Sequence, residues 1–452
     1  MVDLTAAVRD LSSSFSGRLL LPGDAGYDEA RRVHNGLIDK RPAVIAQCRG
    51  TADISDAVKF ARAHNLRISV RGGGHNVAGR AVVDAGMMID LSLMRSVTVD
   101  AASRTARVEG GATWREVNRE TQQFGLATTG GVVGSTGVAG LTLGGGFGWL
   151  MAKHGMSLDN LRSVDIVLAD GAVVRTSATE HADLFWAVRG GGGNFGVVAS
   201  FEFRLHAIGP MVTGGLVAWP IAAARDVLKF FRDYTRTIDD DVFTACALLT
   251  GPDGATKLVG IAAGYMGHPD GGPAAVAPIK TFGSPVMDAM GPIPYVTLNG
   301  MLDGAFPKGA NNYWKAPFLD HLEDGAIDAA IEAMAACPSP MSQILFENFH
   351  GAATRVPVDA TAYALRSPGF NVNILGEWLD GAQTDANIDW VRKTDAALQS
   401  FATGQRYANY VGTEDMNAAG LKAAYGPNLP KLREVKAKYD PENVFRENLN
   451  IV

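Results

Sequence analysis

Three glycine clusters within the first 200 residues constrain this chain more than any other feature. They occupy residues 72–74, 130–148 and 190–193, and they account for much of the excess in a total of 53 glycines. Glycine lets the backbone approach a ligand closely and take positive φ at little cost. Successive N–H groups in such loops form nests for anions such as a diphosphate. One such loop reads as a turn. Three in one region are poorly explained by turns and point to an extended anionic ligand.

The common nucleotide motifs do not account for these loops. Gly191-Gly192-Gly193-Asn194-Phe195-Gly196 matches G-x-G-x-x-G, but a strand pattern follows it where a dinucleotide fold needs a helix. No Gly-Lys pair exists, which excludes a P-loop. No serine stands in a G-x-S-x-G elbow, and the nine histidines include no pair at metal-ligand spacing. No metal is expected.

Hydrophobic periodicity lays out the rest. Residues 43–48 read as a buried strand, Thr51 as the cap of a helix, and 66–70 as a returning strand. That is a βαβ unit leading straight into Arg71-Gly72-Gly73-Gly74-His75-Asn76. Strands are expected at 87–91, 96–99 and 105–109, a helix at 114–124, a hairpin at 163–176 and an alternating strand at 197–204. Beyond about residue 207 the glycine clusters stop. Long strands near 212–219, 242–250, 257–265, 342–349 and 369–378 alternate with helices near 221–236, 325–336 and 384–401. This predicts a separate α+β region on an antiparallel sheet. Helices near 413–425 and 428–438 close the chain.

Composition excludes several function classes. With 452 residues, 47% hydrophobic and 19% charged, the chain is a globular protein of more than one domain. A net charge of −6 and the lack of a long basic run argue against nucleic acid as a partner. No stretch approaches eighteen apolar residues, so no membrane span is expected, and the first twenty residues do not read as a secretory signal. Cys48, Cys246 and Cys337 are scattered, consistent with inert thiols and a cytoplasmic location.

The segment RISVRGGGHNVAGRAVVDAGMMIDLSLMRSV resembles the FAD-binding segment of the vanillyl-alcohol-oxidase superfamily, in its berberine-bridge-enzyme-like branch. VGSTGVAGLTLGGGFGWLMAKHGMSLDNL is similar to the second FAD loop of that branch, DLFWAVRGGGGNFGVV to its third, and YDPENVFRENLNI to its C-terminal signature. The resemblance implies an α+β fold with a two-part PCMH-type FAD-binding domain and a separate α/β substrate domain on an antiparallel sheet. It implies boundaries at 1–206 for the FAD-binding domain, 207–404 for the substrate domain and 405–452 for a segment returning to the first.

It also implies a cofactor site. FAD would be held by Arg71, Gly72, Gly73, Gly74, His75, Asn76 and Gly79 of the first loop. The second loop would add Gly134, Ser135, Gly137, Gly140, Leu141, Gly144, Gly145, Gly146, Gly148, Asp159 and Asn160. Gly196, Val197, Tyr407, Asn409, Asn448 and Asn450 would complete it. The histidine of the R-G-G-G-H type loop bonds the 8α-methyl of the flavin in this family, and here it is His75. Many members add a cysteinyl link from the second loop. Val133 stands at that position, so the resemblance implies a single link.

For substrate chemistry, the resemblance points to Tyr407 and Asn409, expected on one face of a strand, and to Glu347, Asn371 and Asn373. A carboxylate in the apolar strand QILFENFHG is costly to bury unless paired or functional, so Glu347 is a base or an anchor for a substrate amine, or else part of a solvated strand face. Asn371 stands where plant members carry a glutamate base. Trp314 and Lys315 are weaker candidates. The implied activity is oxidation of a small organic substrate at a C–H next to oxygen or nitrogen, with O2 as electron acceptor and H2O2 as product. A dehydrogenase with another acceptor, a redox-silent flavin-fold binder and a nucleotide-sugar-binding protein remain open, as do amine against alcohol or sugar and the oligomeric state, a homodimer included.

Overall fold

The computed structural model describes residues 4–452. The glycine-rich half is built on two small sheets. A four-stranded sheet runs in the order Arg18–Leu20, Val44–Gln47, Met87–Asp90, Ile68–Arg71, with the last three strands parallel. The helix Thr51–Ala63 connects Val44–Gln47 to Ile68–Arg71, so the expected βαβ unit is present, with Met87–Asp90 inserted between its two strands. Gly50, not Thr51, is the N-cap residue. Asn65 takes φ 54° after the helix, as a turn residue that tolerates the left-handed region does.

The second sheet orders Val97–Asp100, Thr105–Glu109, Val197–Arg204, Leu161–Val167 and Val173–Ser177, all antiparallel. The alternation expected for 197–204 is lost, because six of those eight residues in a row or nearly so are buried. The strand is central, and both of its faces are covered. Val198, Phe201 and Phe203 join one core with Trp114 and Phe195, while Val197 and Ala199 join another with Ile54 and Val58.

The second half carries a nine-stranded antiparallel sheet. Its central strands Val242–Thr250, Gln343–Phe349 and Gly369–Trp378 lie side by side. Side chains alternate across a strand. Ile344, Phe346, Phe370, Val372 and Ile374 therefore pack on one face against the helices Ala224–Thr235, Asp324–Ala335 and Thr384–Leu398. Leu345, Glu347, Asn371, Asn373 and Leu375 share the other face, with Glu347 opposite Asn371 and Leu345 opposite Asn373. That face looks toward the glycine loops.

The C-terminal helix expected from 413 starts only at Ala418, where the Asn417 side chain accepts from the N–H groups of Ala419 and Gly420. The helices Ala418–Tyr425 and Leu429–Tyr439 and the final residues pack into the core around Trp114 and Phe201. The chain thus returns to its first half. No helix of the described residues is long and apolar enough to cross a membrane.

Candidate active site

A large cavity lies between the glycine loops and the inner face of the nine-stranded sheet. It encloses about 1820 Å³ of empty space, its open mouth included.

Helix ends hold the loops in place. The first N–H groups of a helix lack intrahelical partners. In the helix Trp114–Thr121 they are taken up by the second loop, Trp114 N donating to Thr136 O at 3.0 Å and Arg115 N to Gly134 O at 2.8 Å. The second loop then forms its own helix, Val138–Gly144, and near its C-terminus Leu143 O accepts from Gly190 N and Gly192 N of the third loop, both at 3.0 Å. The tail clamps the third loop from outside. Asn448 Nδ2 donates to Gly193 O at 2.9 Å, and Asn194 Nδ2 donates to Leu449 O at 3.1 Å. First and second loops touch backbone to backbone, since a Cβ on Gly73 would sit 2.3 Å from Gly137 N.

The wall contains Gly72, Gly73, Gly74, His75, Asn76, Gly137, Gly140, Leu141, Gly144, Gly196, Tyr407, Asn409, Asn448 and Glu347 from the expected set. Others stand behind it. Gly134 N donates to Asp303 at 2.5 Å, and Gly145 and Gly146 are packed by Tyr407, Met156 and Ser157. Gly148 abuts Gly130 O, Gly79 abuts Ile38, and Val197 belongs to a core. Neither Arg71 nor Asn450 lines the large cavity. Arg71 Nη1 donates to Ala30 O at 2.5 Å. Asp159 and Asn160 also lie elsewhere. Asp159 forms a two-pronged ion pair with Arg366 at 2.8 and 2.9 Å, and Asn160 contacts His206 Nε2 at 2.7 Å. The pair braces the turn after the second loop.

Tyr407 and Asn409 reach the cavity by a geometry other than the expected strand. Residues Ala408–Tyr410 form one 3-10 turn. Asn409 Nδ2 donates to the Tyr407 hydroxyl at 2.8 Å and to Leu141 O at 3.0 Å. Gly146 N donates to the same hydroxyl at 2.9 Å. Tyr407 therefore accepts twice and keeps its own proton to donate. Burial pushes its pKa up to about 12, so it stays neutral. Its ring stacks on Phe147 with centroids 4.3 Å apart.

Glu347 is the one carboxylate in the cavity wall among the described residues. It is buried, and desolvation pushes its pKa up to about 7, against the lowering effect of a hydrogen bond donated by Asn371 Nδ2 at 2.6 Å. Asn371 itself does not line the cavity, so it acts through Glu347. Asn373 and Trp314 line the wall nearby. Lys315 instead pairs with Asp415 at 2.8 Å.

The wall also includes residues not expected from the sequence, among them His34, Arg80 and Phe306. Arg80 is the one lysine or arginine in the wall among the described residues. Its guanidinium donates to Val411 O at 2.6 Å, its Nε has no partner, and no carboxylate pairs with it. A lone arginine in the apolar run NVAGRAVV was the available signal.

The cradle suits FAD. Gly140 lines the cavity, yet a Cβ built on it would meet nothing within 4 Å, so the space beyond it is open for a ligand. The loops supply N–H groups, and Arg80 supplies an uncompensated positive charge for an anionic cofactor.

Comparison with known proteins agrees. The family model for an FAD binding domain matches residues 42–177, and that for berberine and berberine-like proteins matches residues 407–452. The (R)-6-hydroxynicotine oxidase of Paenarthrobacter nicotinovorans is 31% identical, over 97% of this chain and 97% of that protein. The chain belongs to the berberine-bridge-enzyme-like FAD-linked oxidoreductases, within the vanillyl-alcohol-oxidase superfamily. The solved structure of 6-hydroxy-D-nicotine oxidase from Arthrobacter nicotinovorans superposes with a TM-score of 0.87 at 29% identity, covering 97% of this chain and 98% of that one. Glucooligosaccharide oxidase from Acremonium strictum superposes at 0.86 with 27% identity, covering 98% of both chains, and that enzyme carries a 6-S-cysteinyl, 8α-N1-histidyl FAD. As a member of this family the chain is an FAD-dependent oxidoreductase acting on a small molecule.

Proposed function

We propose that this chain is an oxidase of a small, largely apolar amine, with FAD attached through His75 alone. Bound in the cradle, FAD supplies the hydride acceptor for a C–H next to nitrogen and passes the two electrons to O2, giving H2O2. The observation that carries the amine reading is Glu347. Among the described residues it is the one carboxylate in a wall it shares with Leu345, Leu375, Phe147, Trp314, Tyr407 and Tyr410, with a pKa near 7. A buried carboxylate wants a cationic partner, and one titrating near neutrality accepts a proton readily.

The residues divide the work. Glu347 binds the substrate ammonium and takes its N–H proton, while Asn371 holds the carboxylate oxygen in place at 2.6 Å. The neutral Tyr407 hydroxyl, fixed by Gly146 N and Asn409, donates to a heteroatom of the substrate or cofactor. Arg80 faces an anionic part of the cofactor. His75, at the end of the first loop, provides the covalent anchor. Val133 stands in the second loop where many relatives carry cysteine, and Cys48 and Cys246 are buried in cores, so one link is the arrangement this chain supports.

A screen of cyclic amines against sugars and alcohols, followed by H2O2 release, tests the reading. Turnover of an amine that falls at least about 100-fold in Glu347→Gln supports it. Turnover of sugars alone, indifferent to Glu347→Gln, overturns it.

A further inference from the structure

The geometry points to Ser135 as the residue that selects which nitrogen of His75 bonds the cofactor. Ser135 belongs to the second glycine loop, and its Oγ lies 2.9 Å from His75 Nε2. Ser135 does not line the large cavity. It lines an adjoining pocket with Arg32, Asp303, Phe306 and Lys308. His75 borders both. The Nε2 edge of the imidazole is thus engaged by the hydroxyl of the second glycine loop, which leaves Nδ1 as the nitrogen for a ligand.

The ring cannot readily turn to exchange its nitrogens. His34 stacks on it with centroids 3.9 Å apart and planes 21° from parallel. His34 is itself buried and tied to the same loop, its backbone N donating to Gly74 O at 2.9 Å, while Gly309 N donates to His34 O at 2.9 Å. The stack therefore moves with the loop that carries His75. Desolvation holds both imidazoles neutral, His75 down at about 3 and His34 at about 4. A neutral imidazole has one N–H and one lone pair, so a proton held on Nε2 toward Ser135 puts the lone pair on Nδ1.

This inference rests on the His75 link proposed above and deepens it. With Nε2–H donating to Ser135 Oγ, the lone pair sits on Nδ1, the N1 position of the link in the glucooligosaccharide oxidase relative. Nδ1 then forms a C–N bond to the 8α carbon, which gives up one hydrogen, and the ring gives up its Nε2 proton. The two electrons and two protons released reduce dioxygen to hydrogen peroxide. Afterwards the lone pair is on Nε2, and the serine hydroxyl turns to donate to it. A hydroxyl serves both states, because it donates and accepts. A methyl serves neither.

The test uses the full chain made in flavin-depleted cells and mixed with FAD in air. Covalent attachment is followed by intact mass and in-gel fluorescence, and noncovalent FAD by absorbance. Ser135→Ala is expected to slow attachment at least tenfold while holding FAD noncovalently, and Ser135→Thr to restore the rate within about threefold. Nitrogen-15 spectra of the flavin-free wild type are expected to show His75 protonated on Nε2, a reading independent of how the variants fold. Attachment by Ser135→Ala at the wild-type rate, or protonation on Nδ1, overturns the role of Ser135 even if His75→Ala abolishes the link. A wild type with no covalent flavin overturns the His75 link and, with it, this proposal.

Discussion

Replacing Asn371 by leucine tests the substrate end of the site without touching the cavity wall. Leucine keeps nearly the same volume and removes the hydrogen bond that Asn371 Nδ2 gives to Glu347 Oε2 at 2.6 Å. A hydrogen bond to a charged group contributes about 1.5–3 kcal/mol, which is about 1–2 pK units for the group that receives it. The bond favours the carboxylate, so its loss moves Glu347 up from about 7 to about 8–9. At pH 7 the ionised fraction then falls from about one half to between about 1% and 10%. If ionised Glu347 binds the ammonium and accepts its proton, kcat/KM for an amine falls about 5- to 50-fold at pH 7 and recovers above pH 9. The ascending limb of the pH profile shifts by the same one to two units, while flavin content stays constant. A limb that keeps its midpoint in Asn371→Leu, with the loss spread evenly over pH, refutes the assignment of that ionisation to Glu347.

Other parts of the structure make independent predictions. Glu377 is fully buried with both carboxylate oxygens unpartnered, and desolvation pushes its pKa up to about 8. The folded state thus resists its ionisation while the unfolded state, at 4.5, does not, so its contribution to stability is intact below pH 4.5 and lost by pH 8. Glu377→Gln should gain up to about 3–5 kcal/mol over the wild type between those limits, and equal pH dependence of the two melting curves would contradict this. Gly140→Leu places a side chain in open cavity space from within a helix. It should leave the fold intact and reduce bound FAD at least tenfold, and a normal FAD content would show that the cofactor lies elsewhere. Arg80→Met, in a His75→Ala background, should weaken FAD binding by at least tenfold and leave riboflavin binding, which lacks the diphosphate, within twofold. An equal loss for both flavins would place the charge of Arg80 beside the ring system instead.

Much of this fold was legible because the patterns that encode it are local. Strand spans such as 242–250, 257–265 and 369–378 match the observed elements, since continuous or alternating apolar runs bounded by Gly and Asp punctuate them. The loop 72–76 was legible because glycine in such numbers has few other uses. Contacts distant in sequence were not. The burial of 197–204 on both faces depends on two cores that only the fold brings together. The strand expected around Tyr407 is a single turn, because Asn409 is drawn toward Leu141 O of the second loop, 268 residues away. Asp159 and Asn160 look like ligand-binding residues in sequence, but Asp159 meets Arg366, which no local spacing foretells. His34 shows no motif at all, and its role appears only once the loop carrying Gly74 folds back against it.

The central claim is an FAD held in this cavity by one bond to His75. Acid precipitation of the purified wild type, beside His75→Ala, measures it directly. The account predicts a yellow, fluorescent wild-type pellet whose intact mass is raised by one FAD less two hydrogens, and a colourless pellet in the variant. Flavin that washes into the supernatant from the wild type, or that stays in the pellet of His75→Ala, would contradict it.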